Sequence, residues 1–74
     1  MTLPDFSIVT PTWVERQVAI IATIAGDDEA AHSAEDDLRT CVLEAISEGV
    51  ATDPEECARL ALTTADIKFE RWCA

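Results

Sequence analysis

Carboxylates and the single histidine of the chain are concentrated in one stretch, residues 27–37, which reads DDEAAHSAEDD. Six of its eleven residues are acidic, and His32 lies at its centre. Carboxylate and imidazole groups bind metal ions and exchange protons in acid–base catalysis. Metal binding and catalysis are therefore the first functions to test against the spacing of these residues.

The spacing of the acids does not fit a calcium-binding loop of the EF-hand type. Such a loop needs oxygen ligands at alternating positions, glycine at the sixth position and glutamate at the twelfth. If Asp27 were the first ligand, the sixth position would be His32 and the twelfth Leu38. If Asp28 were the first ligand, the third position would be Ala30. We therefore predict that the stretch holds no metal ion.

Catalysis is not indicated by the sequence. Paired carboxylates act as acid and base in a cleft that separates their pKa values, and a chain of 74 residues leaves little volume for one. No serine or cysteine nucleophile can be placed beside His32, for which a solvated loop position is predicted. The motifs GxGxxG, GxxxxGKS and GxxxxGKT are not found, so we expect no nucleotide cofactor. We predict a protein that is not an enzyme.

The three cysteines, Cys41, Cys57 and Cys73, are widely spaced and form no CxxC pair. With one histidine they do not complete a zinc set of the usual spacing. Reduced thiols in a cytoplasmic protein are the expectation, with Cys41 in the core, Cys57 half buried and Cys73 the most accessible. Neither a signal peptide nor an apolar run of about eighteen residues is found, so we expect neither secretion nor a membrane span.

The chain is strongly acidic, with fifteen acidic against five basic residues and a formal net charge of −10. Nucleic acids and anionic membranes both attract basic patches, so direct binding to either is not expected. The same charge would steer the protein towards a basic surface on another macromolecule. A hydrophobic fraction of 49% argues against a disordered chain.

Local sequence patterns predict an extended arm followed by a first helix. Residues 1–10 are expected to form an extended N-terminal arm, because Pro4 discourages a helix. Thr10, followed by proline, predicts the start of a helix over residues 11–25 that ends at Gly26. Apolar side chains cover more than half of its circumference, so we expect this helix at the centre of the core.

The acidic stretch is predicted to be a loop that leads into a second helix. Ser33 is the expected N-cap, and Asp36 is its expected partner in an arrangement similar to a capping box. This helix should span residues 34–48 and end at Gly49. The acids of its first turn would interact favourably with the positive end of the helix dipole.

A third helix is predicted from a capping aspartate, Asp53, a proline at the first helical position and Glu56, which completes a capping box. It should run to about Leu62. The two threonines that follow favour a break and a short fourth helix, residues 65–72, over one continuous helix. Trp72 is expected to fasten the C-terminus to the first helix.

These patterns together predict an all-α fold. We expect a compact bundle of three to four short helices with an extended N-terminal arm, residues 1–10, and a single helical domain, residues 11–74. A chain of this length lies near the lower limit for a single stable core. A homodimer or another partner could supply further burial.

The first functional hypothesis is recognition through an acidic surface. In a helix, Glu44 and Glu48 lie about 6 Å apart along the axis and Asp37 about 10 Å from Glu44, distances comparable with those between backbone phosphates. The chain would be a small acidic non-enzymatic binding protein that inhibits or regulates a basic, nucleic-acid-binding protein. The class analogy is with nucleic-acid mimics of phages and mobile elements, such as anti-CRISPR-type inhibitors. The expected partner-binding residues are Asp27, Asp28, Glu29, Glu35, Asp36, Asp37, Glu44 and Glu48.

The alternative hypothesis is a small helical assembly or scaffold subunit that acts through an apolar interface, in a homodimer or a hetero-complex. It is motivated by the apolar character of the first helix. Further candidate anchors are Phe6, Ile8, Leu43, Phe69 and Trp72.

Overall fold

The computed structural model describes residues 8–71 of the chain. It contains helices α1 (Pro11–Thr23), α2 (Asp28–Ser47) and α3 (Pro54–Leu62), followed by a 3-10 turn, Thr63–Asp66. The predicted all-α bundle is thereby confirmed. The arm before Ile8, Cys73 and the predicted contact of Trp72 lie outside the described residues, and the division of the chain at residue 10 stays a prediction.

Helix α1 begins as its sequence predicts, because Trp13 donates its backbone N–H to the side-chain oxygen of Thr10 at 3.1 Å. The helix ends at Thr23, two residues earlier than expected, since Ile24 leaves the helical conformation. Only Val14 and Ile21 of this helix are fully buried. All three helices pack against one another, so α1 shares the core with its neighbours, and the prediction of a central first helix is wrong.

Helix α2 begins at Asp28, six residues before the predicted start at Ala34. Asp27 is its N-cap and accepts a hydrogen bond from the backbone N–H of Ala30 at 3.1 Å. The predicted acidic loop and the predicted Ser33 cap are therefore wrong. Acids in the first turn suit the helix dipole, and neither glycine nor proline interrupts the sequence that follows, so one continuous helix forms.

Gly49 ends helix α2 in a Schellman motif. In this arrangement a residue with a left-handed backbone allows the N–H groups that follow the helix to donate to its last carbonyls. Its φ is 75°. The N–H of Gly49 binds the carbonyl of Ile46 at 3.1 Å, and the N–H of Val50 binds that of Ala45 at 2.9 Å. The predicted stop at Gly49 is confirmed.

Replacing Gly49 with alanine should lower the free energy of unfolding by about 1 kcal/mol, because a Cβ is unfavourable at this positive φ. Gly26 provides a matched control, since it lacks the positive φ of Gly49 and, as at Gly49, no atom lies within 4 Å of a Cβ built there. Unfolding in urea, monitored by circular dichroism, measures the stability of both variants. Equal midpoints for Gly49→Ala and Gly26→Ala would contradict the role given to Gly49.

The chain before α1 pairs with the connection between α2 and α3. Val9 is fully buried and forms a single parallel bridge with Ala51. Its N–H binds the carbonyl of Val50, and its own carbonyl accepts from the N–H of Thr52, both at 2.9 Å. This bridge fixes the path of the connection.

The start of helix α3 differs in detail from its prediction. Asp53 has a left-handed backbone, with φ at 47°, and its side chain makes no capping hydrogen bond. Glu56 forms no capping box and instead binds Arg59 one turn later, at 2.5 and 2.7 Å. The helix ends at Leu62, as predicted.

The predicted break after Leu62 is confirmed, but the predicted fourth helix is wrong. The 3-10 turn is followed by Ile67, which has an extended backbone, and residues 68–71 form no regular secondary structure. The carbonyls of Thr64, Ile67 and Phe69 accept hydrogen bonds from the guanidinium of Arg71. These carbonyls are satisfied by a side chain, so the segment does not need helical backbone hydrogen bonds.

The burial of the two described cysteines is the reverse of what the sequence predicts. Cys57 is fully buried, with its Sγ 3.2 Å from the carbonyl oxygen of Thr52, and Cys41 is partly buried. Burial raises the pKa of both thiols. The reactive thiolate form is therefore disfavoured at both positions.

Candidate acidic interface on helix α2

One side of helix α2 carries most of the acids that the sequence singles out. Residues three, four and seven positions apart share a face of a helix, and the early start of α2 extends this face by nearly two turns. With a rise of 1.5 Å per residue, its end residues lie about 28 Å apart along the axis. We name this surface the acidic face; its exposed carboxylates belong to Glu29, Asp36, Asp37, Glu44 and Glu48.

The acidic face has no positive side chain along helix α2, every residue of which is described. Apart from the acids, the exposed residues of helix α2 are uncharged: Ala30, Ser33, Thr40, Leu43 and Ser47. The one base of the helix, Arg39, is turned away from this face and donates to the side-chain oxygen of Thr64 at 3.0 Å. The negative potential along the helix is therefore not neutralised from within α2.

Asp27 and Asp28, at the start of the helix, have structural partners. Asp27 is exposed and caps the helix through Ala30. Asp28 is partly buried and accepts a hydrogen bond from the backbone N–H of Glu70 at 3.2 Å. Asp28 thus ties the C-terminal segment to α2, and Asp27 starts the helix.

Glu35 does not lie on the interface to which the sequence assigned it, and this prediction has to be corrected. Its side chain is 2% exposed. Arg71 binds both carboxylate oxygens, with Nε 2.9 Å from Oε1 and Nη2 2.9 Å from Oε2. The helix turns Glu35 towards the C-terminal segment, so its carboxylate is not available to a partner protein.

Four side chains form what we name the Glu35 cluster: Glu35, Arg39, Thr64 and Arg71. Arg39 places Nη2 3.6 Å from Glu35 Oε2. The guanidinium of Arg71 also donates to the carbonyl of Thr64 at 2.8 Å and lies 3.9 Å from the centre of the Phe69 ring. The hydrogen bond from Arg71 lowers the pKa of Glu35 from 4.5 to about 2, despite the opposing effect of burial. The cluster fastens the C-terminal segment to helix α2.

His32 is not the solvated loop histidine that the sequence predicts. It lies within helix α2 with 12% of its side chain exposed, and its Nε2 is 3.4 Å from Oδ2 of Asp36 one turn later. Between residues 8 and 71, no group of three or more histidine, cysteine, aspartate or glutamate side chains is arranged to hold a metal ion. Over the same range, no helix is long and apolar enough to cross a bilayer.

A groove lies between helices α2 and α3, close to the acidic face. Its volume is about 150 Å³. The two leucines of its lining, Leu43 and Leu62, are 65% and 62% exposed. The groove is lined by Arg39, Val42, Leu43, Ala58, Ala61 and Leu62.

No protein-family model, curated protein or solved structure shows significant similarity to this chain.

Proposed function

We propose that the protein is a small acidic, non-enzymatic binding protein that inhibits or regulates a basic, nucleic-acid-binding protein. The supporting observation is the acidic face, which aligns five exposed carboxylates along about 28 Å of one helix. Glu44 and Glu48 are about 6 Å apart along the axis, and Asp37 and Glu44 about 10 Å. These distances correspond to two and three phosphate steps of about 3.4 Å along a nucleic-acid strand.

The distribution of the bases supports an outward negative potential. Arg39 and Arg71 contact Glu35, and Arg59 contacts Glu56. Three of the five bases of the chain are therefore engaged by two acids, Glu35 and Glu56, that do not belong to the acidic face. A partner with a basic groove would be attracted over several ångströms and bind faster at low ionic strength.

Solubility alone does not account for the alignment of the acids. A net charge of −10 would keep the protein in solution wherever the acids were placed. Like charges that share a helix face repel by a few tenths of a kcal/mol per pair. Helix α2 carries this cost on a face with five exposed acids, and binding to a basic partner would offset it.

The proposed mechanism is competition with nucleic acid for the partner's basic groove. Lysine and arginine side chains of that groove would pair with the acidic face in place of phosphates. The cytoplasm, where such a partner meets nucleic acid, is the location that we propose. Inhibitors from phages and mobile elements, including anti-CRISPR-type proteins, are the functional class that this mechanism resembles.

Immobilised protein should retain basic, nucleic-acid-binding proteins from an extract of the cells that produce it. Salt screens exposed charges, so these proteins should bind at about 50 mM salt and be released at about 500 mM. Mass spectrometry of the two eluates identifies them, and added DNA or RNA should displace them. Retention of only acidic or neutral proteins, unchanged by salt, would contradict the proposal.

A scaffold subunit that acts through an apolar interface is the second candidate function. Three large apolar side chains favour it, since Ile20, Leu43 and Leu62 are 51%, 65% and 62% exposed. In its homodimer form this function predicts a stable dimer. Sedimentation of the purified protein at micromolar concentrations tests that form directly, because the first function does not require self-association.

A further inference from the structure

We propose that the groove between helices α2 and α3 binds an apolar side chain of the same basic partner. The partner would present an amphipathic helix, with its basic side along the acidic face and one apolar anchor in the groove. This inference rests on the proposed function and specifies the kind of surface that the protein recognises.

The size and lining of the groove suit one apolar side chain. A volume of about 150 Å³ is the size of an engineered cavity that holds a benzene molecule, so a leucine or phenylalanine side chain fits. Val42, Ala58 and Ala61 supply an apolar lining. Arg39 lies at the edge with about one third of its side chain exposed, and its Nη2 is 3.6 Å from Oε2 of Glu35. An apolar anchor on this lining would displace water from an apolar surface and leave the partly exposed guanidinium of Arg39 at the edge.

The groove runs between antiparallel helices and has acids towards both of its ends. Arg39 of α2 contacts Thr64 just after α3, whereas the far end of α2 joins α3 through residues 48–53. Asp36 lies seven residues before Leu43, so both share one line along α2. Glu55 has the same relation to Leu62 on α3. The two carboxylates consequently lie beyond opposite ends of the groove.

An apolar groove with carboxylates beyond both ends fits an apolar residue that is flanked by lysine or arginine. A helix whose apolar face carries residues at positions i, i+3, i+4 and i+7 meets this description when its other face is basic. A second copy of the chain fits poorly, because it would bring a further net charge of −10 against the acidic face. Charge complementarity therefore selects a basic amphipathic helix as the occupant.

Two synthetic peptides of about nineteen residues, the length that spans 28 Å as a helix, provide the probe. The first has lysines on one helical face and leucines on the other, and the second has alanines in place of the leucines. Isothermal titration calorimetry at low salt should show that the lysine–leucine peptide binds about tenfold more tightly than the lysine–alanine peptide, because one leucine side chain becomes buried in the groove.

Filling the groove separates this inference from simple charge attraction. Ala58→Leu should remove the advantage of the lysine–leucine peptide and leave the affinity for the lysine–alanine peptide unchanged. Ala19→Leu is the matched control, since Ala19 is exposed on helix α1 and does not line the groove. Leu43→Ser should also weaken the binding of the lysine–leucine peptide. Because Leu43 is 65% exposed, this variant should fold normally.

Each other outcome has a definite meaning. Equal, salt-sensitive affinities for the two peptides, unchanged by Ala58→Leu, would overturn the groove as a binding site and leave the acidic face in place. No binding of either peptide at low salt would overturn both proposals. A dimer that dissociates on Ala58→Leu would show that a second copy fills the groove and would overturn the choice of occupant.

Discussion

Replacing Glu35 with glutamine is expected to lower the free energy of unfolding by about 2–3 kcal/mol. The carboxylate is 2% exposed, and both of its oxygens bind Arg71. Glutamine would leave the two guanidinium groups of Arg39 and Arg71 without their counter-charge. Removal of one partner of a buried ion pair costs about 3–5 kcal/mol, and this value is reduced here because the arginines are about one third exposed.

Glu29→Gln provides the matched control, since it makes the same chemical change at an exposed position of the same helix. It should change the stability by less than about 0.5 kcal/mol. Guanidinium unfolding, followed by circular dichroism, measures both variants. Equal unfolding midpoints for the two would contradict the structural role of the Glu35 cluster.

The same cluster contributes to the dependence of stability on pH. The pKa of Glu35 is about 2 in the folded chain, against an ordinary value of 4.5. Because the folded pKa is the lower one, the stabilisation is fully present above about pH 4.5 and is lost as the pH falls through about 2. The difference in stability between Glu35→Gln and the wild type should therefore shrink over this range. A difference that stays constant with pH would show that the ionised carboxylate is not the stabilising form.

The parts of the fold that depend on local sequence were predictable. The start of α1 at a threonine–proline pair, the end of α2 at Gly49 and the end of α3 at Leu62 each follow from neighbouring residues. The start of α2 was not predicted, because both Asp27 and Ser33 are good capping residues. The early start is accompanied by the tertiary contact of Asp28 with the backbone N–H of residue 70, which local sequence does not reveal.

The acidic face was predictable in part. Helical periodicity alone places Asp37, Glu44 and Glu48 on one face, but Glu29 joins them only because the helix begins early. The burial of Glu35 could not be predicted in full. Its i,i+4 relation to Arg39 is visible in the sequence, whereas the contact with Arg71 spans 36 positions and requires the C-terminal segment to turn back.

Charge reversal on the acidic face is expected to weaken partner binding by about a hundredfold. The variant carries Asp36→Lys, Asp37→Lys and Glu44→Lys, three exposed positions of helix α2. Each reversal removes one attraction and adds one repulsion. Together the two effects weaken the binding free energy by about 1 kcal/mol at low salt. Three such changes amount to about 3 kcal/mol, which corresponds to roughly a hundredfold in the dissociation constant.

A matched triple variant separates the effect of position from that of net charge. Glu15→Lys, Asp66→Lys and Glu70→Lys reverse three exposed acids that lie outside helix α2. Both variants change the formal charge from −10 to −4, because each reversal adds two positive charges. Circular dichroism confirms that each variant remains helical. If the matched variant lost as much affinity as the face variant, net charge and not the acidic face would drive binding.

The dissociation constant of the captured basic partner, measured over a range of salt concentrations, tests the central claim most directly. For the wild type and the matched variant, the logarithm of this constant should rise steeply with that of the salt concentration. The variant with Asp36, Asp37 and Glu44 reversed should bind about a hundredfold more weakly at low salt and show a much shallower slope. If this variant kept both the affinity and the salt slope of the wild type, the acidic face of helix α2 would not be the binding surface.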